Sequence, residues 1–291
     1  MRFNLVGPFE IVADDGRVYR PGTPKVCQTL ALLLTRPRGI VTTESLIEEL
    51  WGDRPPRSAT TTLQTYVYHS RRMLINENLV PEDRQLIVTS APGYSIQVDE
   101  DEVDAKIFER LVTRARRELA DGQPESALHT STDALELWRG PVLSGSPAGS
   151  ILGGHIVHLE ELRIRAYEIR IEAEERLGRY RESIPELCRL VSDYPLNEWF
   201  HSQLISALGA TGRRAEALQA YQSLRKVLAD ELGLEPSAEL QQLQLQLLTL
   251  QPLGAAGTDH PTRHREHVSA AAAGAAHTHM VATAASTRRA P

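Results

Sequence analysis

Cysteine is almost absent from this 291-residue chain, and the two present, Cys27 and Cys188, are too far apart to form a metal-binding spacing. They read as reduced small hydrophobes in a cytoplasmic protein. No run approaches the ~20 apolar residues needed to span a bilayer. The opening "MRFNLVGPFEIVADDG" lacks the basic, apolar and small-residue regions of a secretory leader. Also missing are G-x-x-x-x-G-K-S/T, G-x-S-x-G, H-E-x-x-H and C-x-x-C, the short signatures of phosphate loops, acyl-transfer nucleophiles, zinc proteases and thiol pairs. These absences predict a binding protein rather than an enzyme, with no metal and no cofactor. His155 and His158, near Glu160 and Glu161, read as surface residues before a charged helix.

Acidic residues are missing from one place in particular. The chain as a whole carries net charge −6, yet residues 54–76 contain no Asp or Glu. By segment, residues 1–99 hold 11 Lys/Arg and 11 Asp/Glu, whereas residues 100–250 hold 17 against 25. The acidic body would be repelled by a polyanion, while the neutral first segment can still present one local basic face.

That first segment has the grammar of a small α+β domain. Short apolar runs, "FNLVG", "FEIVA" and "RVYR", are separated by Gly7-Pro8 and Asp14-Asp15-Gly16, which predicts antiparallel strands. From Pro24 the period becomes helical through Val26, Leu30, Leu33 and Leu34, stopping near Arg36–Gly39. "TTESLIEELWG" predicts a second helix capped by Thr42 or Thr43 and ended by Gly52. A third begins after Pro55-Pro56 with Ser58 as cap, and "RQLIVTS" and "GYSIQVD" predict a hairpin joined at Ala91-Pro92.

Beyond Asp104 the chain reads as helix, broken by a loop at Pro141–Gly154. "LGRYRESIPEL" and "TGRRAEALQAY" resemble each other with Gly178 and Gly212 34 residues apart, the period of tetratricopeptide helix pairs. "ADGQPESAL" looks like a third, degenerate copy. Trp51, Trp138 and Trp199, each surrounded by apolar helix residues, read as core or interface rather than as stacking platforms. Residues 251–291, rich in Ala, His and Thr, have no sustained stripe of large apolar residues and read as a disordered tail.

The stretch "TTTLQTYVYHSRRML", residues 60–74, separates well on a helical wheel. Leu63, Tyr66, Val67, Ser70 and Leu74 share one face. Thr61, Thr65, Tyr68 and Arg72 lie opposite, flanked by Gln64, His69 and Arg71. Such side chains suit a major groove: arginine for phosphate or guanine, glutamine for adenine, threonine for phosphate or the thymine methyl. On these residues alone a solvated amphipathic helix remains the alternative, although that kind of helix usually carries Glu and Lys. Three helices followed by a hairpin, with the third helix most basic, is the winged-helix arrangement.

With "LLLTRPRGIVTTESLIEELWG", "PPRSATTTLQTYVYHSRRML" and "VTSAPGYSI", followed by "LWRGP", "LEELRIRAYE" and "TGRRAEALQAYQSLRKVLADELGLEPS", the chain resembles the Streptomyces antibiotic regulatory proteins over residues 1 to about 250. The resemblance implies a response-regulator-type winged helix over 1–99 and an all-α, tetratricopeptide-like transcriptional activation domain over 100–250. It implies double-stranded DNA as partner, read as direct repeats at promoters of secondary-metabolite genes. It also implies contact with RNA polymerase, with dimer formation or tandem binding on DNA. Carried over by position, Thr61, Gln64, Thr65, Tyr68, His69, Arg71 and Arg72 supply the DNA face, and Thr89 and Tyr94 bracket the wing. Related wings often carry a basic residue before Gly-Tyr; here Ser90-Ala91-Pro92 stands there, which weakens the expectation of base readout by the wing. A helical scaffold whose winged helix binds protein is the competing expectation, and the acid-free third helix disfavours it.

Overall fold

The structure is a computed structural model that describes residues 1–81 and 83–249; the expected tail lies outside the described residues. Three strands open the chain, β1 (Arg2–Asn4), β2 (Glu10–Val12) and β3 (Val18–Tyr19), forming an antiparallel meander with Phe3 opposite Ile11 and Ile11 opposite Tyr19. Helix α1 (Pro24–Leu34) starts with Pro at its first turn, where no backbone N–H is needed, and buries almost its whole length. Strand β4 (Val41–Thr42) leads directly into α2 (Thr43–Trp51), whose cap is Thr42: its hydroxyl accepts from the Ser45 N–H at 3.1 Å.

Helix α3 (Ala59–Asn76) follows an exposed turn, and β5 (Ile87–Ser90) and β6 (Gly93–Ile96) complete a second sheet in the order β4-β6-β5. Ser58 occupies the cap position of α3, but its side chain makes no capping bond to the backbone. Gly93 is required where β6 crosses β4, because a Cβ there would stand 2.0 Å from the Val41 carbonyl oxygen. This is the expected winged helix.

Among the described residues, seven α-helices follow: α4 (Asp104–Ala120), α5 (Pro124–Glu136), α6 (Ser150–Arg176), α7 (Tyr180–Asp193), α8 (Glu198–Ala210), α9 (Arg214–Leu232) and α10 (Ala238–Leu248). Gly178 and Gly212 occupy equivalent turns before α7 and α9, as the 34-residue period predicts. One boundary moves. Residues 150–154 were expected in a loop, yet α6 already begins at Ser150 and runs through Gly153 and Gly154.

The core does not stop at residue 99. Phe3, Leu5, Leu30, Leu46 and Leu63 belong to one continuous apolar cluster with Phe108, Val112, Leu152 and Ala166. Val103 bridges to Phe3, and Leu143 N–H donates to the Leu5 carbonyl at 3.0 Å. Buried Asp104 at the start of α4 accepts from the Leu5 and Val6 N–H groups at 2.6 and 3.2 Å. Arg139 reaches both Glu10 and Asp104, at 2.6 and 3.4 Å. Burial pushes the Asp104 carboxyl up, against the pull of those amides and of Arg139. A second cluster joins α6 to α10 through Tyr167, Ile184, Phe200, Leu204, Tyr221 and Leu240. Helix α6 therefore belongs to both cores.

Candidate nucleic-acid interface

The hydrophobic stripe of α3 fixes how the helix sits. Leu63, Val67 and Leu74 are buried with Ser70, whose hydroxyl donates to the Tyr66 carbonyl at 2.8 Å and so needs no other partner. Leu63 and Val67 join the cluster that holds Leu30, Leu46 and Leu50. Trp51 at the end of α2 stacks on Tyr66, with ring centroids 6.1 Å apart. With one face so anchored, Thr61, Gln64, Thr65, Tyr68, His69 and Arg72 are all exposed, Tyr68 by 57%. Thr65 donates its hydroxyl to the Thr61 carbonyl at 3.1 Å, which leaves an oxygen lone pair and the methyl outward.

Arg71 and Tyr94 take different places from those expected. The half-buried Arg71 guanidinium donates from Nε to the Ile87 carbonyl at 2.9 Å and from an outer nitrogen to Thr89 Oγ1 at 3.0 Å. Its fork is committed to the hairpin rather than held out to solvent. Tyr94 is only 8% exposed and packs in the first core, so it shapes the wing from behind. The wheel could not show the place of Arg71, because its partners Ile87 and Thr89 come from β5. Thr89 remains exposed, paired across the hairpin with Tyr94. The wing tip is tied to α2: the Thr43 N–H and hydroxyl both donate to the Pro92 carbonyl, each at 3.1 Å.

The charge pattern is uneven in a way that matters. Among the described residues, Arg54, Arg57 and Arg72 have no ion-pair partner, and all three are exposed on the turn before α3 or on its outer face. In the helical part, Arg114, Arg165, Arg176, Arg189 and Arg213 each pair with a carboxylate three or four residues away. Exposed arginines without an ion pair there, such as Arg117 and Arg181, stand next to Glu118 and Glu182 in the chain, whereas no acidic residue interrupts residues 54–76. Unpaired guanidinium groups beside hydroxyl and amide side chains form a surface suited to a polyanion. Alongside α3 runs a cleft of about 530 Å³, where His69 and Arg72 face Tyr19 and Thr23 at the start of α1.

Other titratable groups offer less. Cys27 is buried, with its thiol pushed up by burial and directed at the Pro21 carbonyl, and Cys188 is exposed. Burial, then nearby Lys106, lowers the His155 ring to about 4. His158 stands 3.9 Å from Glu109, but among the described residues no group of three or more His, Cys, Asp or Glu could hold a metal ion. No helix among them is long and apolar enough to cross a membrane.

Two known families match the two parts of the chain in this order. Residues 20–96 match the family described as Transcriptional regulatory protein, C terminal, and residues 103–248 match the Bacterial transcriptional activator domain. The chain is 36% identical over 255 residues to the Regulatory protein DnrI of Streptomyces peucetius, covering 87% of this chain and 93% of that protein. It is 34% identical to the Transcriptional regulator RedD of Streptomyces coelicolor, covering 87% and 72%. The solved structure of Mycobacterium tuberculosis EmbR in complex with a low affinity phosphopeptide superposes with a TM-score of 0.77 at 31% identity, covering 86% of this chain and 65% of that one.

Proposed function

Because the chain belongs to the Streptomyces antibiotic regulatory protein family of DNA-binding transcriptional activators, we propose that it acts on promoters of an antibiotic or other secondary-metabolite gene cluster. In this reading α3 enters the major groove of a direct repeat. Thr61, Gln64, Thr65, Tyr68, His69 and Arg72 meet bases and phosphates, and Thr89 approaches the flanking backbone. The acid-free outer face of α3, with unpaired Arg54, Arg57 and Arg72, is the observation that carries it. Residues 1–99 supply DNA recognition and residues 100–250 supply activation, through RNA polymerase and through a second copy of the chain on tandem sites. Polymerase contact need only be weak, because a shared promoter raises the effective concentration toward the millimolar range. The protein works in the cytoplasm as a binding protein, without catalytic chemistry of its own.

Footprinting of the full chain on promoters beside its own gene tests this. A protected direct repeat is expected, with affinity falling steeply as salt rises because counterions are released from DNA. Purified polymerase should then transcribe from that promoter more often when the protein is present. Retention on DNA that is insensitive to salt, or no protected site, would place the function on a protein partner instead.

A further inference from the structure

Glu49 is a buried carboxylate, 2% exposed, on the face of α2 turned away from solvent. A charge-bearing group so far from water must find donors close by. Those donors come from a segment 100 residues later in the chain. Glu49 Oε1 accepts from the Gly149 N–H, and Oε2 accepts from the Ile151 and Leu152 N–H groups at 3.1 and 2.9 Å. Gly149 is the cap residue of α6, so Ile151 and Leu152 are the second and third residues of its first turn. These are the amides that a helix leaves unpaired and that a capping side chain normally satisfies from its own chain neighbourhood. Here α6 has no side-chain cap of its own, and α2 provides one.

Three further features build the joint. The Gln28 amide on α1 donates to the Glu49 carbonyl at 2.7 Å and to its Oε1 at 2.8 Å, which fixes the carboxylate's rotamer. Ser150 donates its hydroxyl to Glu48 at 2.9 Å. Position 149 must be glycine, since a Cβ would stand 2.3 Å from the Glu49 carbonyl oxygen. The same α2 carries Trp51, stacked on Tyr66 of α3, and the same α6 belongs to both apolar cores.

We infer that Glu49 is a positioning residue that aligns the helical repeats with the DNA-reading helix, so that DNA occupancy and activation are coupled through the α2–α6 joint. A single carboxylate bonded to the first turn sets both the tilt and the rotation of α6 relative to α2. Since α6 enters the second core, its direction carries α7 to α10 with it. The inference rests on the proposed division of DNA recognition and activation between the two parts of the chain.

Hydrogen exchange on the full-length wild-type chain tests the joint without any variant. The amides of Ile151 and Leu152 should exchange far more slowly than those of Ala215 and Glu216, the equivalent positions of α9, which has no capping side chain. Equal rates would overturn the inference, whatever the protein does on DNA. The functional arm uses Glu49→Gln, which keeps the shape but turns N–H groups toward N–H groups, and Gly149→Ala, which strikes the joint from the other side. Each should keep the wild-type circular dichroism spectrum and bind the footprinted site within about twofold. Each should lose at least about fivefold in transcription from purified polymerase, the lower end of what coupling between two sites is worth. Full transcription despite fast exchange at 151 and 152 would show that the alignment is not used. Parallel loss of DNA affinity and transcription would reduce Glu49 to a prop for the winged helix. If wild type neither binds nor activates, the functional reading fails while the exchange result still decides the joint.

Discussion

Arg71 on α3 holds Thr89 on β5: the guanidinium donates to Thr89 Oγ1 at 3.0 Å while its Nε donates to the Ile87 carbonyl at 2.9 Å. Recognition helix and wing are thereby linked through one side chain, and the neighbouring Arg72 is left free to face outward. Two adjacent arginines of one helix take separate tasks because 100° of rotation separates them.

Replacing Arg71 should loosen the wing rather than remove a DNA contact. Arg71→Lys cannot span both acceptors with one ammonium, so it should behave like Arg71→Ala. Either should cost about 1–2 kcal/mol in urea unfolding, since the group is half exposed and lies at the low end for charged hydrogen bonds. Hydrogen exchange across residues 87–90 should quicken in both. A lysine variant with wild-type exchange would mean that the hairpin holds itself in place.

Arg72→Ala should leave stability unchanged and weaken operator binding by about 1–3 kcal/mol if the side chain reads a base. Fluorescence anisotropy on the footprinted site and on scrambled DNA distinguishes two roles for it. A uniform loss on both would make Arg72 a phosphate contact, and no loss on either would remove it from the interface.

Leu63 is fully buried among Leu30, Leu46 and Leu50. Leu63→Ala should therefore cost about 2–5 kcal/mol by opening a cavity. DNA binding should fall at temperatures where the variant unfolds and recover on cooling. An unchanged denaturation midpoint would mean that α3 is rotated about its axis.

His155 should make the protein acid-sensitive. Its ring titrates at about 4 in the folded chain, against 6.5 when unfolded, because burial and Lys106 disfavour the charged form despite Glu109. As pH drops from 6.5 toward 4, the unfolded chain gains a proton that the folded chain does not, so stability declines. The loss between pH 7.5 and 5 is on the order of 2 kcal/mol. His155→Gln should flatten this part of the stability profile relative to wild type, as measured by urea unfolding at both pH values. Identical slopes would assign the acid sensitivity to other groups.

A fragment ending at residue 99 should be much less stable than the full chain, because it bares Phe3, Leu5 and Leu46 where Phe108, Val112 and Leu152 had covered them. It also loses Asp104, which holds the Leu5 and Val6 amides. Circular dichroism melting of the two chains compares them directly. A fragment as stable as the whole would mean that the winged helix closes its own core.

The winged helix was legible because its evidence is local. A period of 3.6 residues places Leu63, Val67 and Leu74 on one side of α3 whatever surrounds the helix, and therefore turns Thr61, Thr65 and Arg72 the other way. Turn residues likewise bracket the strands and mark the helix ends, and the 34-residue repeat follows from comparing the chain with itself.

Tertiary structure decided what depends on partners distant in the chain. Gly153 and Gly154 weaken helix propensity by roughly 1 kcal/mol each relative to alanine, so the local pattern keeps residues 150–154 in a loop. The cap that lets α6 start at Ser150 is Glu49, about a hundred residues earlier, which no window of sequence contains. Arg71 reads as a groove contact on a wheel and becomes a clamp only when β5 arrives beside it. Periodicity shows which way a side chain points from its own backbone; what it meets there depends on chain closure over many tens of residues.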